Sequence, residues 1–295
     1  MGGRRCLPCG CRQRSFPRRR SAEPCLVRKH ELRSRYAALF PGVYFPSGHT
    51  PTFDQRAEAA WLWSRRRGVI AGLTAARLHG ARWLDDAIAI ELFWANARTP
   101  SGISTSAVTL GDGETATLTG LPVTSLARTA FDLARRRPLG AAVARLDALA
   151  NAAPFDSGDV LSLVARHRGV RGRCQVATVL ELSDDGAQSP RETWLRLLLM
   201  RSGFPRPRTQ IPVTDDCGWV KYYLDMGWEA IKVAVEYDGD HHRTDRTQFA
   251  KDVVRLEELA DLGWLIVRVV ADNREADILE RVQRAWDARS SSTLR

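Results

Sequence analysis

One short segment constrains this chain more than any other: an apolar strand that ends in two carboxylates. Residues 231–238 read Ile-Lys-Val-Ala-Val-Glu-Tyr-Asp. Successive side chains of a strand point to opposite faces, so Glu236 and Asp238 share one face with Lys232 while the larger apolar side chains occupy the other. Core packing gives no reason to place two acids at the same end of one face. The pattern therefore indicates a functional site rather than a buried strand alone.

A third acid precedes this strand. Asp225 ends an earlier strand-like run, and residues 227–229 predict a turn that pairs the two strands antiparallel. This pairing would bring Asp225 alongside Glu236 and Asp238. Three converging carboxylates repel one another unless a hard cation lies between them, and oxygen ligands of this kind suit Mg²⁺. Because bound Mg²⁺ activates water and stabilises charge on a phosphodiester, we predict a Mg²⁺ site that also accepts Mn²⁺.

Each of these residues also has an ordinary structural explanation. Asp238 and Gly239 form a turn dipeptide, and the adjacent His241 and His242 are typical of a surface pair. A histidine at this place can also take or give a proton near neutral pH, so His242 is a candidate acid–base residue. It is the set of residues at this spacing that favours the metal site.

The order of these motifs resembles the PD-(D/E)xK nuclease superfamily: an acid, about ten residues, then Glu-x-Asp-Gly-x-x-His. More narrowly, it is similar to the uncharacterised branch related to very-short-patch-repair endonucleases. The likeness covers about residues 188–272 and continues through residues 263–268. It implies a restriction-endonuclease-like α/β domain with a central mixed sheet, predicted over residues 188–289. It also implies metal-dependent hydrolysis of DNA.

The resemblance further implies which residues act. Asp225 and Glu236 would hold the metal, with Asp238 as a third ligand, although Asp238 stands where the superfamily usually has lysine. That lysine normally positions the attacking water. Its role would pass to Lys232 or to His242, or the activity would be lost.

Four residues are predicted to support this site: Glu192, Gln210, Asp252 and Arg255. Glu192 matches an acid that the superfamily often has on its first helix. The same residue also completes a capping box with Ser189, which explains it without a metal. Asp252 and Arg255, three apart on a predicted helix, either form a surface pair or orient the site.

The preceding part of the chain has a second resemblance, carried by residues 39–44, 73–80 and 120–133. These segments resemble the AbiEi antitoxin family, which has a winged-helix DNA reader followed by a mixed α/β domain. We assign residues 28–182 to this region, with a polar break at residues 183–189 as the predicted domain boundary. Whether a toxin or another protein partner exists is left open.

Within this region the sequence also predicts local structure. A short helix is expected over residues 31–39, before a turn and a brief strand. His79 is expected to be a packed residue at a helix end rather than a ligand. Arg128 and Asp132, four apart, are expected to form an ion pair on one helix.

The basic charge of the chain is concentrated at its start. The net charge is +10, of which residues 1–30 carry +8, so the remainder is nearly neutral. Residues 1–27 are predicted to be a disordered basic arm, and export is not expected because this segment lacks the apolar core of a secretory signal. A transit peptide, a phosphate-binding arm, and a solvated tail ahead of the true start remain alternatives.

Four early cysteines allow a different interpretation of the arm. Cys6 and Cys9 have the spacing of a zinc knuckle, and Cys11, Cys25 or His30 could complete four ligands. No hairpin or helix pattern surrounds them. We therefore expect reduced thiols of a cytoplasmic protein, with zinc as the alternative.

These observations together predict a bacterial cytoplasmic protein with an AbiEi-like region and a Mg²⁺-dependent DNA endonuclease domain. No apolar run approaches the roughly 18–20 residues of a membrane helix, so DNA rather than a membrane is the expected partner. The main alternative is a noncatalytic DNA-binding regulator of the antitoxin type. A nuclease acting on RNA is a third interpretation.

Overall fold

The computed structural model describes residues 5–6, 34–96, 98–136, 138–215, 217–239 and 246–290. The chain divides into two compact units. Unit 1 comprises residues 1–80 and 84–132, and unit 2 comprises residues 81–83 and 133–295. Helices and mixed sheets occur in the described part, which confirms a mixed α+β fold.

Unit 1 contains two sheets in its described part. Its elements are β1 Arg5–Cys6, β2 Tyr36–Phe40, β3 Val43–Pro46, α1 Phe53–Trp63, β4 Val69–Ile70, α2 Gly72–Leu78, β5 Ile90–Phe93, β6 Ile103–Ser106, β7 Thr115–Leu118, β8 Leu121–Thr124 and α3 Leu126–Ala134, which runs into unit 2. One sheet has the order β1-β3-β2, and the other has the order β6-β5-β4-β8-β7. Helices α1 and α2 lie beside the five-stranded sheet, and α1 packs into the core of unit 1.

The helix predicted over residues 31–39 is wrong from Tyr36 onward. Strand β2 begins at Tyr36 and pairs antiparallel with β3, Phe40 lying opposite Val43. The cause is the turn at Pro41 and Gly42, where glycine takes a positive φ of 81° and closes a hairpin. Pairing with β3 and burial of Phe40 outweigh the helical spacing of the preceding residues.

A buried charge network confirms the predicted Arg128–Asp132 pair. Arg128 Nε donates to Asp132 Oδ2 at 2.8 Å, and its Nη1 donates to Glu114. All three side chains are almost completely buried. The ring of His79 lies 2.9 Å from the carbonyl oxygen of Thr124, so this histidine is a packed helix-end residue, as predicted.

Unit 2 joins a group of helices to a four-stranded sheet. Its elements are α4 Leu139–Ala152, α5 Ser157–Arg166, a 3-10 turn Arg173–Gln175, α6 Val176–Leu182, α7 Pro190–Arg201, β9 Arg208–Thr214, β10 Val220–Trp228, a 3-10 turn Glu229–Ile231, β11 Val233–Asp238, α8 Arg246–Asp261, β12 Leu265–Val270 and α9 Glu275–Ser290. The sheet has the order β12-β11-β10-β9. Strands β11 and β12 are parallel because α8 connects them, and the other pairs are antiparallel.

Two apolar layers cover this sheet. Side chains of α7 and α9 pack on one face, with Leu198 and Val282 among the buried residues of that layer. The other face packs against α8 through Leu259, which contacts a layer containing Leu224 and Ala234. The sheet is therefore sandwiched between helices in the described part of unit 2.

The polar segment 183–189 lies inside unit 2 and is firmly hydrogen-bonded. The backbone N–H of Asp184 donates to Asp147 Oδ1 at 2.8 Å, and its carboxylate accepts from the hydroxyl of Thr209 at 2.5 Å. Asp147 also pairs with Arg196 of α7 at 2.7 Å, both side chains being buried. Helix α4 is thus tied to α7 across the segment that we predicted as a boundary.

Candidate acidic site

Strands β10, β11 and β12 and helix α8 line a pocket of about 270 Å³. Its lining includes six charged side chains: Asp225, Glu236, Asp238, Asp252, Arg255 and Arg268. The structure thus brings the three acids singled out from the sequence into one place. We refer to this site as the acidic pocket.

The alternation of β11 places two of these acids. Val233 and Val235 pack in the layer formed with α7 and α9, whereas Ala234 packs in the layer formed with α8. Glu236 and Asp238 follow Ala234 at two-residue steps and therefore point to the α8 side. The face that the sequence predicted for these acids is confirmed, since Arg255 of α8 reaches Glu236.

Strand β10 is distorted where it carries Asp225. Leu224 packs in the layer beneath α8, but Met226 packs in the layer of α7 and α9. Residues two positions apart on a regular strand share a face. Leu224 and Met226 do not, so β10 is irregular at Asp225. The pairs Leu224–Ile211 and Met226–Thr209 place Gln210 beside it, and Gln210 has a positive φ of 47°. Such local irregularities re-aim side chains, and they recur next to active sites.

Glu236 is held by Arg255. Arg255 Nη1 donates to Glu236 Oε2 at 3.0 Å, and Nη2 donates to Oε1. The Glu236 side chain is 7% exposed, while that of Arg255 is 26% exposed. The hydrogen bonds to Glu236 raise the pKa of Arg255 above its ordinary value. Arg255 of α8 therefore contacts Glu236 of β11. Asp252, three residues earlier on α8, lines the same pocket.

Asp238 has its own arginine, which the sequence interpretation did not assign to the site. Arg268 Nη2 donates to Asp238 Oδ2 at 2.5 Å. Arg268 lies on β12, where it pairs in parallel register with Glu236. In the sequence, Arg268 could have been noticed as a charged residue inside the apolar run of β12. Only the pairing of β11 with β12 shows that Arg268 contacts Asp238.

Asp225 is bound by the backbone of the neighbouring strand. Its Oδ2 accepts a hydrogen bond from the backbone N–H of Tyr237 at 2.8 Å. Burial, together with the charges of Glu192 and Glu236, raises the pKa of Asp225 to about 7, while the Tyr237 bond and Arg255 act in the opposite direction. Burial and the neighbouring acids therefore favour a proton or a cation at Asp225.

The capping role predicted for Glu192 is confirmed. It completes a cap of α7: Ser189 Oγ accepts from Glu192 N at 3.2 Å, and Glu192 accepts from Ser189 Oγ and from Gln188 N. Burial raises the pKa of Glu192. Its charge also raises the pKa of Asp225, so the cap residue adds to the negative potential beside the pocket.

Lys232 lies away from the acidic pocket, and its expected position on the strand face is wrong. Strand β11 begins only at Val233, and Lys232 has a positive φ of 49° at the end of the preceding 3-10 turn. Its Nζ donates to the carbonyl oxygen of Leu262 at 2.8 Å. The predicted turn at residues 227–229 is displaced to 229–232, because Trp228 continues β10 and packs in the core.

Several residues of the remaining predictions lie outside the residues that the structure describes. His242 lies outside them, as do Cys9, Cys11, Cys25 and most of the predicted basic arm. The prediction of a disordered arm is wrong at Arg5 and Cys6, because these two residues pair with β3 as strand β1. Within the described part, no three acidic, histidine or cysteine side chains are already grouped as a metal cluster, and arginines contact Glu236 and Asp238. In that same part, no helix is both long and apolar enough to span a membrane.

Comparison with known proteins finds two similar proteins. Both are from Mycobacterium tuberculosis and are described as uncharacterized proteins: MT2308 of strain CDC 1551 / Oshkosh and Rv2248 of strain ATCC 25618 / H37Rv. Each is 30% identical over 156 residues, which is 53% of this chain and 57% of the relative. The chain thus spans little more than half the length of these relatives. No family model and no solved structure matches.

Proposed function

We propose that unit 2 carries a restriction-endonuclease-like domain that hydrolyses DNA phosphodiester bonds with Mg²⁺ or Mn²⁺. The observation that carries this proposal is the convergence of Asp225, Glu236 and Asp238 on one pocket. A four-stranded mixed sheet between helices supports it, since this is the architecture that the motif resemblance implies. An AbiEi-like role of unit 1 in DNA binding belongs to the same proposal.

The chemistry of the donor set fits a hard divalent cation. Three carboxylates offer oxygen ligands, and burial together with the charges of Glu192 and Glu236 raises the pKa of Asp225, which favours a cation or a proton there. Asp225 and Glu236 would hold the metal, with Asp238 as a third ligand. The metal would supply an activated water and stabilisation of the charge on the phosphodiester.

The chain's own residues set the positions of these acids. Arg255 and Arg268 orient Glu236 and Asp238, and the Tyr237 N–H orients Asp225. Because Lys232 is engaged with Leu262, it is not the residue that positions a water in this pocket. His242 stays the candidate proton carrier.

A nicking assay tests this proposal. Purified protein is incubated with supercoiled plasmid and with mismatched duplex, in Mg²⁺, Mn²⁺ or EDTA, beside Asp225→Asn and Glu236→Gln. Glu280→Gln is the matched control, because the Glu280 side chain is 71% exposed on α9. We expect metal-dependent nicking by wild type and control, and a loss of at least about 100-fold in the two site variants. Equal activity in all four proteins would contradict the assignment of the site.

A second candidate function rests on the arginines of the pocket. Since Arg255 and Arg268 already neutralise Glu236 and Asp238, the same fold could serve a noncatalytic DNA-binding regulator. This function predicts no cleavage, no metal signal by calorimetry, and DNA affinity that Asp225→Asn leaves unchanged or raises. An RNA competitor in the same binding assay distinguishes an RNA substrate from a DNA substrate.

A further inference from the structure

A turn of unit 1 carries three consecutive arginines. Arg65, Arg66 and Arg67 lie between the end of helix α1 and the start of strand β4. All three residues are exposed. We refer to this segment as the arginine turn.

The backbone of the arginine turn is fixed by hydrogen bonds. The N–H of Arg66 donates to the carbonyl oxygen of Trp61 at 3.0 Å. The hydroxyl of Ser64 donates to the same carbonyl oxygen at 2.6 Å and accepts from the N–H of Gly68 at 2.9 Å. Because these bonds close the turn on both sides, its three side chains extend from a defined backbone.

Two of the three arginines have a backbone conformation that favours glycine. The φ of Arg65 is 58° and that of Arg66 is 62°. Helices commonly end with one glycine in this conformation, because a Cβ crowds the backbone there. Strained residues of this kind concentrate at binding and catalytic sites. Since the geometry of the turn alone would favour glycine, the charged side chains are the feature that needs an explanation.

The sequence around the turn supplies no acid to neutralise it. Residues 59–80 contain four arginines and no acidic residue. The fourth of these, Arg77, pairs with Asp86 at 3.3 Å. Within the described part of the chain, the side chains of Arg65 and Arg67 make no hydrogen bond or ion pair. Their positive charges are therefore exposed to solvent without a protein counterion there.

The third arginine of the turn is held by an aromatic ring. The guanidinium of Arg66 lies over Trp61, 5.5 Å from the ring centroid. Such stacking uses the flat face of the guanidinium and leaves the N–H donors at its edge available to another ligand. The contact restrains the side chain without removing its charge.

We propose that the arginine turn binds the phosphate backbone of duplex DNA. Guanidinium groups present planar pairs of N–H donors that match phosphate oxygens. An exposed turn does not enclose a small anion, whereas a continuous row of phosphates can contact adjacent exposed cations at the same time. The inference rests on the DNA binding proposed for unit 1, and it names the residues that carry out this binding. It does not depend on whether the acidic pocket cleaves DNA.

Binding is tested in EDTA, where no metal-dependent cleavage can interfere. The anisotropy of a short fluorescein-labelled duplex is titrated with the full chain at several KCl concentrations, using wild type, Arg65→Asn and Arg67→Gln. Asparagine tolerates the positive φ at position 65, so that variant removes the charge without new strain. Arg284→Gln is the charge-matched control, since its side chain is 70% exposed on α9. We expect each turn variant, unlike the control, to lower the steepness of log affinity against log salt by about 0.9, as for one lost phosphate contact.

Two further measurements identify the ligand. Arg67→Lys should retain the salt dependence of wild type, because lysine keeps the charge. Unlabelled duplex should displace the labelled duplex more effectively than inorganic tripolyphosphate at the same phosphate concentration. Equal displacement would assign the turn to small polyanions and would overturn the assignment to a DNA backbone. Thermal melts verify folding, and Arg67→Gln lies at an exposed position without positive φ.

The outcomes separate this inference from the proposed function. If wild type binds the duplex but both turn variants behave like Arg284→Gln, the inference is overturned and the DNA binding proposed for unit 1 stands. If wild type does not bind the duplex at any salt concentration, both are overturned. Metal-dependent nicking is measured in its own assay with Asp225→Asn, so its presence or absence decides only the proposed activity of the acidic pocket.

Discussion

Arg255 binds both carboxylate oxygens of Glu236, through Nη1 and Nη2. The acid is buried, whereas the guanidinium keeps partial access to solvent. A divalent cation at the same place would neutralise the same charge and would use the same oxygens. We therefore expect Arg255 and the proposed metal to compete for the oxygens of Glu236, and this competition can be measured without any assay of activity.

Arg255→Gln should destabilise the metal-free protein and strengthen its response to Mg²⁺. Glu236 would be left buried without its hydrogen-bonding partner, at a cost of about 1–3 kcal/mol in the free energy of unfolding. Urea denaturation in EDTA and in Mg²⁺ measures both effects. Arg201→Gln, which removes an exposed pair with Glu275, should change stability by less than about 1 kcal/mol. If Mg²⁺ fails to restore the stability of Arg255→Gln, the acidic pocket does not hold the metal.

Asp225→Asn should make the metal-free protein more stable at pH 8. Burial and the charges of Glu192 and Glu236 oppose ionisation of Asp225, whose pKa is about 7. An asparagine removes that cost while its carbonyl oxygen still accepts from the Tyr237 N–H. We expect a gain of about 2 kcal/mol in EDTA, together with loss of any stabilisation by Mg²⁺. Calorimetric unfolding measures both, and a destabilised variant in EDTA would show that the carboxylate is structurally needed.

Lys232→Met should leave metal-dependent nicking unchanged. The Lys232 Nζ donates to the Leu262 carbonyl oxygen, and the residue precedes β11 while Asp238 ends it. A loss of about 1 kcal/mol in stability is expected from the missing hydrogen bond. Initial nicking rates and thermal melts are compared with wild type. A large loss of rate with normal folding would instead assign the lysine role of the superfamily to Lys232.

Local sequence signals predicted much of unit 2. The alternation of β11 depends only on neighbouring residues, and it placed Glu236 and Asp238 on one face. The cap at Ser189 followed by Pro190 marked the start of α7 for the same reason. The convergence of three acids then followed from one antiparallel pairing.

Long-range contacts were not predictable in the same way. Arg268 reaches Asp238 because β12 is parallel to β11, a pairing that depends on the crossover through α8. Lys232 lost its expected position because its backbone takes a left-handed conformation that no residue pattern marked. Tyr36 begins a strand because β3 is available for pairing, which helical spacing alone cannot show.

The buried pair of Asp147 and Arg196 should give unit 2 a distinctive pH dependence. Burial raises the pKa of Asp147 to about 6, against the effects of Arg196, the Asp184 N–H and Thr193. The native state therefore binds this proton more tightly than the unfolded state, so the contribution of Asp147 to stability is full below about pH 4 and is lost as the pH rises through about 6.

Comparison with Asp147→Asn isolates this effect. The unpaired Arg196 of the variant adds an offset to the free energy of unfolding that does not vary with pH. The free energy of unfolding of wild type minus that of the variant should therefore fall by up to about 3 kcal/mol between about pH 4 and 6. Above this range the difference should stay constant. Urea denaturation across this range measures it. A difference that rises with pH would show that attraction to Arg196 exceeds the cost of burial.

Gly172→Ala should destabilise unit 2 more than Gly169→Ala, a substitution of a nearby glycine. The new Cβ would lie 2.1 Å from the Arg135 carbonyl oxygen, and the backbone has a positive φ that alanine disfavours. We expect a loss of about 2–3 kcal/mol, since both strain and displacement of the Arg135 segment contribute. Gly169→Ala is the matched control, because nothing lies within 4 Å of its Cβ position and its φ is not positive. That variant should stay within about 0.5 kcal/mol of wild type or gain slightly from reduced unfolded-state entropy. Equal melting temperatures for the two variants would mean that the loop of Gly172 and the segment of Arg135 are not fixed against each other.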